Sequence, residues 1–393
     1  MQKVKLPKLV LVAILLMVLI TTGCGSQNEP DEISYVLLLG IDHGTNNLLR
    51  VSYMIAIPKA LAGGGGEGGG TAPSSEVITV EAPSLYASMN MINTFIGRRV
   101  SLMHTKGLIF SQAMAEDGGM GKLVPALLQF RETRGTSFVA VSKESPEEIL
   151  KEMKPFLENN PAKYIELLAT NNSFTGFIPP EKLQDFYNEL KKEGINPLCI
   201  FMAKSDEKLP SHTTQGEYQT EGSYHAGEMT KKGGVALEAM GAAAFRKGQM
   251  VGLLNGDETT LYSMIRGQFH EGIFSMPDPL KPDTVLAMDV FQARKPKTRI
   301  RLEEGQVFIN IQLSLEGNLL GNTSLINYGF PEHRPVLEKA FAEKIKKDAQ
   351  ALVSKTQEEF KSDIFGFGVK AKRLFLTESQ WRELNWPDLY QNA

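Results

Sequence analysis

Two thiols, six imidazoles and a few paired carboxylates are the groups in this 393-residue chain whose types could do chemistry. Their spacing decides which chemistry. Cys24 follows Thr21-Thr22-Gly23 at the end of an apolar run. A cysteine behind small residues at such a place is a substrate for acylation: a diacylglyceryl group is transferred to the thiol, and a signal peptidase then cuts just before it. Cys199 lies in the apolar run Pro197-Leu198-Cys199-Ile200-Phe201 and reads as a buried small hydrophobe. With Cys24 acylated, Cys199 has no partner in the chain, and a disulfide framework is excluded. His43, His104, His212, His225, His270 and His333 show no His-Glu-x-x-His pattern, no paired spacing and no cysteine partner. The acid pairs Asp31/Glu32, Glu147/Glu148 and Glu303/Glu304 fall at helix starts or turns, where solvation accounts for them. There is no Gly-x-Ser-x-Gly elbow. The Gly63–Gly70 run lacks the Lys-Ser or Lys-Thr of a phosphate loop. Gly121-Lys122-Leu123 lacks both the earlier glycine and the following hydroxyl. No catalytic set, metal site or cofactor is expected, and the chain does not read as an enzyme.

The thiol at position 24 needs an export signal to reach its modifying enzymes, and one precedes it. Lys3, Lys5 and Lys8 form a positive head, and Leu9–Ile20 is an unbroken run of twelve apolar residues. A membrane-spanning helix needs about twenty. The position three before the cysteine, usually Leu, is Thr21 here, with Ile20 one further back. Residues 1–23 are therefore expected to be a cleaved lipoprotein signal, with Cys24 the lipid-carrying N-terminus of a domain outside the membrane. Apolar residues make up 42% and charged residues 22%, as in ordinary globular proteins, and the net charge of −3 gives no basic excess to suggest nucleic acid. About 370 residues remain after cleavage, enough for two or three domains.

Past a polar tether at Glu29–Glu32, Ile33–Ile41 reads as a buried strand, Leu48–Ile57 as its hairpin partner and Val77–Glu81 as a third strand. Ser84 caps a helix reaching about Ile96. Gly107–Phe110 and Ser137–Val141 read as strands, and Val124–Phe130 as a helix. Ser145-Pro146-Glu147-Glu148 starts another helix. Pro161–Ala169 and Pro180–Glu193 follow as helices, then the strand Pro197–Ala203. Residues 204–234 turn polar and mark the best domain boundary or a long loop. Val235–Phe245 and Met250–Leu254 then pattern as a hairpin, and Asp257 as the cap of a helix ending near Arg266. Val285–Ala293 and Lys297–Leu302 read as two strands. In Val307–Glu316, Val307, Ile309, Ile311, Leu313 and Leu315 alternate with mostly polar residues. A long helix over Pro331–Phe360 puts Leu337, Phe341, Ile345, Ala349, Leu352 and Phe360 on one face. A last helix, Thr377–Leu384, opens with a Thr-Glu-Ser-Gln capping box.

Strands and helices mix without strict alternation, so the expected class is α+β: two or three mixed α/β domains with predominantly antiparallel or mixed sheets flanked by helices. The expected division is residues 24–203, a polar linker or loop over 204–234, and residues 235–393.

Several pieces recur in a fixed order. Cys24 is followed by Glu32-Ile33 and a strand ending Gly40-Ile41-Asp42. Arg98-Arg99-Val100-Ser101-Leu102-Met103-His104-Thr105-Lys106 precedes Gly107-Leu108-Ile109-Phe110, and Phe130-Arg131-Glu132-Thr133-Arg134 forms an Arg-rich turn. Gly241–Phe245, Met250–Leu254 and Asp257-Glu258-Thr259 open the C-terminal part. Asp363-Ile364-Phe365-Gly366-Phe367-Gly368, with Trp381 and Trp386, closes it. In this order and spacing the chain resembles the Ger(x)C family, the C subunits of nutrient germinant receptors in spore-forming bacteria. The resemblance implies a non-enzymatic lipoprotein on the outer face of the spore's inner membrane, beside a polytopic A-type subunit and a transporter-like B-type subunit, in a complex that senses nutrients and triggers germination. Members usually continue past the Trp386 region into a final strand, whereas this chain stops at Ala393; either that strand is missing and a sheet edge is open, or the gene is truncated.

A lipid-tethered module without catalytic groups can act by contact, because the membrane concentrates it beside membrane partners. Arg98, Arg99, Arg131 and Arg134, near turns, are the candidate contact residues. Two other readings make different demands. A solute-binding lipoprotein of a transporter expects two doubly wound lobes, and a cell-wall hydrolase expects a paired-acid or metal cleft.

Overall fold

The computed structural model describes Val10 and residues 30–57, 73–205 and 218–393. Cys24, the Gly63–Gly70 run and His212 lie outside the described residues.

The chain opens with a meander of β1 (Ile33–His43), β2 (Leu49–Ala56) and β3 (Ser75–Ala82). It continues through α1 (Leu85–Ile92), β4 (Arg99–Ser101), β5 (Gly107–Ser111), α2 (Gln112–Glu116), α3 (Gly119–Gln129) and β6 (Phe138–Ser142). The helices α4 (Pro146–Glu152), α5 (Pro161–Thr170) and α6 (Leu183–Lys191) lead to β7 (Leu198–Lys204). Then come β8 (Leu237–Arg246), β9 (Gln249–Leu254), α7 (Gly256–Arg266), β10 (Glu271–Asp278), β11 (Lys281–Glu303), β12 (Gln306–Asn322) and the long α8 (Arg334–Glu358). Three short helices end it: α9 (Phe367–Ala371), α10 (Glu378–Glu383) and α11 (Trp386–Tyr390).

Nine strands form one mixed sheet in the order β3-β2-β1-β5-β6-β7-β8-β9, with β4 alongside the start of β1. The run β1-β5-β6-β7 is parallel, and both flanks are antiparallel. Parallel neighbours need crossovers, so helices cover both faces and the central strands are apolar on both sides. In β6, Val139 and Val141 join the core under α1, α3 and α6, while Ala140 faces the core under α4 and α5. In β1 the alternation slips at an irregularity between Val36 and Leu38, which puts Leu37 and Leu38 on the same face.

β10-β11-β12 form a separate antiparallel sheet under α8. The expected α+β class with mixed sheets and flanking helices is what the fold shows. The polar stretch 204–234 does not separate the two halves' strands: β7 before it pairs with β8 after it, Leu198 opposite Ala244. On β8, Ala243 and Phe245 pack into the N-terminal core, and Ala242 and Ala244 into the C-terminal one. One strand thus belongs to both cores.

Several element boundaries differ from the sequence expectation. The strands expected at Val285–Ala293 and Lys297–Leu302 are one strand, β11, with register shifts around Arg294 that carry it past Pro296. Asn255, not Asp257, caps α7: its side chain accepts from Glu258 N over 2.9 Å, and Glu258 Oε2 accepts in return from Asn255 N at 2.9 Å. Asp257 instead accepts the Thr220 hydroxyl. The caps at Ser84 and Thr377 form as expected.

Candidate functional site

The four arginines singled out by sequence are all exposed, and the fold gathers their two segments. β4 supplies Arg99 and pairs in parallel with the start of β1, Ile33–Tyr35 opposite Arg99–Ser101. The turn after α3 supplies Arg131 and Arg134. Glu132 ties this turn to β4. Its carboxylate accepts the Ser101 hydroxyl and the Leu102 N–H, each at 2.9 Å, and lies 3.8 Å from the Arg99 guanidinium. Tyr86 on α1 packs against Phe130, ring centroids 4.8 Å apart, and its hydroxyl donates to the Ala126 carbonyl at 3.2 Å. The result is one surface beside the beginning of β1, carrying guanidiniums, His104 and exposed apolar side chains. Phe95 is 60% exposed, Met103 51%, Tyr86 43% and Met91 42%.

A second feature was invisible to local sequence reading. A cleft of about 670 Å³ opens between α6, the end of α7 and α9, lined by Glu181, Glu189, Arg266, Gln268 and Lys370 among others. Its floor is a buried charge network. Tyr262 donates its hydroxyl to Glu181 at 2.8 Å. Arg266 donates to Glu189 at 2.6 Å and to the Phe365 carbonyl at 3.2 Å. Burial pushes the Glu181 carboxyl upward against the pull of Tyr262 and Arg266. Burial also lifts Glu189 to about 8, with Arg266 opposing and Glu181 adding repulsion. Two carboxyls this close and this dry do not both ionise freely, and Arg266 favours a single negative charge shared by the pair. Glu189 Oε2 has no hydrogen-bond partner among the described residues.

A third feature closes the C-terminal part. Asp363, 4% exposed, accepts backbone N–H groups from Phe365, Gly366, Phe367 and Gly368 at 2.7–3.2 Å. The Trp386 indole N–H joins them at 3.0 Å. Burial lifts its carboxyl to about 6 despite these donors. The turn read from sequence is therefore built around one carboxylate. Trp386 in turn stacks between Trp381 and Tyr390, with centroids 5.9 and 6.1 Å away.

Among the described residues no group of three or more His, Cys, Asp or Glu side chains could hold a metal, and no helix is long and apolar enough to cross a membrane. Cys199 is fully buried and its thiol is pushed far up by desolvation, as the apolar run led us to expect. His225 bonds Glu228 at 3.1 Å, an exposed pair.

The network residues lie far apart in the chain, with Arg266 77 positions from Glu189 and 99 from Phe365. No local spacing could have announced them. For Asp363 a signal did exist: an acid just before two glycines and three apolar residues, the composition of a turn whose N–H groups point inward at an anion.

Comparison with known proteins covers nearly all of the chain. The family described as spore germination protein N-terminal domain matches residues 26–203, and the one described as spore germination B3/GerAC like, C-terminal, matches residues 240–393. The putative spore germination protein YfkR of Bacillus subtilis (strain 168) is 24% identical over 384 residues, spanning 96% of this chain and 91% of that protein. Spore germination protein KC of the same organism is 23% identical, spanning 96% of this chain and 89% of its own length. The crystal structure of the GerBC protein aligns at 16% identity with a TM-score of 0.51, covering 90% of this chain and 92% of that one.

Proposed function

The chain belongs to the GerAC family of spore germination proteins, and from that premise we propose that it is the lipid-anchored, non-catalytic subunit of a nutrient germinant receptor. In this reading the acyl chains on Cys24 hold it on the outer face of the spore's inner membrane. It stands there beside a polytopic A-type subunit and a transporter-like B-type subunit, and it supports the response to germinant. The observation that carries the reading is that both family halves match in order, on a fold whose β8 belongs to both cores. A strand shared in this way makes the two halves one mechanical unit, suited to passing contact at one surface to another. Arg98, Arg99, Arg131 and Arg134 share one exposed surface beside β1, where the chain enters the fold from Cys24.

The decisive experiment deletes the gene and scores spore outgrowth on single nutrients. Loss of the response to one nutrient or a small set, restored by the wild-type gene, is expected. Normal germination on every nutrient would sink the reading. A gene neighbourhood without A- and B-type membrane subunits would count against it too.

A further inference from the structure

We propose that the surface carrying Arg98, Arg99, Arg131 and Arg134 rests on an anionic lipid bilayer, so that the chain is held at the membrane in one orientation and is not merely tethered to it. The inference builds on the reading of Cys24 as acylated and adds to it the partner of this surface.

Reach comes first. Arg99–Ser101 of β4 pairs directly with Ile33–Tyr35, so this surface flanks the first strand where the chain enters the fold. Ile33 stands nine residues after Cys24. Fully extended, nine residues span at most about 30 Å. The sheet itself is slightly broader, since the eight strands of its path at about 4.8 Å spacing cover roughly 34 Å between its edges. A lipid on Cys24 therefore keeps Ile33, and β4 beside it, within about 30 Å of the bilayer, and the chemistry of the surface selects the face.

Chemistry comes second. A surface that settles on a bilayer presents guanidiniums to phosphates and aromatic or thioether side chains to the headgroup boundary. Both are here: four exposed arginines interleaved with Phe95, Met103, Met91 and Tyr86, all more than 40% exposed. The carboxylates at this side are Glu132, Asp31 and Glu32. Glu132 is occupied by Ser101, Leu102 and Arg99. Among the described residues Arg98, Arg131 and Arg134 have no ion-pair partner within 4.0 Å, which leaves their donors free for phosphate.

Third, the two attachments do different work. The acyl chains resist dissociation, and basic residues near an anionic surface add attraction that falls off within a Debye length. The arginine surface thus sets which face points outward, with the three-stranded sheet and α8 presented away from the lipid.

The test uses the full chain, purified from membranes with its acyl group and reconstituted into vesicles. Cys199 is fully buried, so one introduced cysteine takes a nitroxide label selectively. Phe95→Cys reports the proposed contact, and Leu325→Cys, at a residue 89% exposed, reports a site on the far sheet's side. In vesicles of phosphatidylcholine mixed equally with phosphatidylglycerol, the label at position 95 should gain severalfold in accessibility to oxygen relative to a water-soluble nickel chelate. In pure phosphatidylcholine, or after combining Arg98→Gln, Arg99→Gln, Arg131→Gln and Arg134→Gln, that gain should be lost. The label at 325 should stay in water throughout. The mass of the N-terminal peptide reports the anchor separately. An unmodified thiol overturns the anchor reading, and the orientation argued from it falls as well. An acylated chain whose label at 95 stays in water on anionic vesicles overturns the surface proposal alone, and so does shielding that survives removal of the four charges.

Discussion

Gly194 and Gly368 meet backbone against backbone: a Cβ on Gly194 would lie 2.5 Å from the Gly368 carbonyl carbon, and one on Gly368 would lie 2.5 Å from the Gly194 Cα. Val369 N–H donates to the Gly194 carbonyl at 3.2 Å across the same contact. The loop after α6 and the start of α9, about 170 residues apart in sequence, are thereby pressed together. A methyl at 368 would also strike the Trp386 indole nitrogen at 2.4 Å. Gly368→Ala should therefore cost about 2–4 kcal/mol through overpacking with no room to relax. A lowered denaturation midpoint, with the tryptophan emission shifted to the red, is the expected result. An unchanged midpoint would show that the two loops can part without loss.

Asp363 gives a prediction with a pH dependence. It accepts four backbone N–H groups and one indole N–H. In Asp363→Asn the amide nitrogen would face donors, and at least one buried N–H would lose its acceptor. The expected loss is about 2–3 kcal/mol. In the wild type, burial lifts the carboxyl from 3.8 to about 6. The folded state then binds the proton more tightly than the unfolded chain between those values, so this residue's contribution falls as pH rises from about 4 to about 6, by roughly 3 kcal/mol in all. Chemical denaturation of the wild type and Asp363→Asn across that range should show the slope in the first and its loss in the second.

These two cases show what the sequence could and could not say. Periodicity announced β12, because Ile309, Ile311, Leu313 and Leu315 face α8 while their neighbours face solvent. Side-chain caps announced α1 and α10, because a cap is a bond between residues two or three apart. β10 went unread because Met276-Pro277-Asp278 looks like a turn. A proline is tolerated there only because β10 is an edge strand. The strand β11 was split by Lys295-Pro296-Lys297, which the structure absorbs in an irregular register. The pairing of β7 with β8, the Glu181–Arg266 network and the Gly194–Gly368 contact all join distant segments. Nothing in a local window encodes them, whereas the exposure of the four arginines was legible because they flank turns.

The buried network responds to loss of its cation. At the cleft's floor Arg266 bonds both Glu189 and the Phe365 carbonyl. Arg266→Gln would leave Glu189 buried without a counter-ion. That should cost about 3–5 kcal/mol. The carboxyls would answer by holding their protons more tightly, since burial already raises both. In the wild type Glu189 gives up its proton near pH 8 beside Arg266, whereas in the variant it keeps the proton above that, so the deficit should grow as pH rises from about 7 to about 9. Denaturation of the variant at the two pH values checks this, and a deficit independent of pH would assign the loss to packing alone.

Glu81 makes the opposite kind of contribution. Its carboxylate accepts the N–H groups of Thr45 and Asn46 and two bonds from Arg50, clasping the turn between β1 and β2. The two backbone bonds come first among the causes that hold it down to about 2. A depressed value means that the clasp is intact above the ordinary carboxylate range and is lost as pH falls through about 2. Glu81→Gln should loosen the turn at neutral pH while leaving the global transition nearly unchanged. Faster amide exchange confined to residues 44–48 is the expected reading, and unchanged exchange there would mean that the strands alone fix the turn.

Cys24 separates retention from orientation. The apolar run before it has twelve residues, too few to cross a bilayer where about twenty are needed. In the acylated protein, retention should survive a high-salt wash, because acyl chains are held by the hydrophobic effect, which salt does not screen. In Cys24→Ala the fold should persist, with the same circular dichroism and melting midpoint, since the three cores of the described residues are built from Val36 onward. Any hold left in that variant comes from the arginine surface, and added salt weakens it. The expected result is a wild-type chain in the washed membrane pellet and a folded Cys24→Ala chain in the supernatant. A salt-resistant Cys24→Ala pellet equal to wild type would mean that protein contacts alone suffice, and the lipid would lose the role assigned to it.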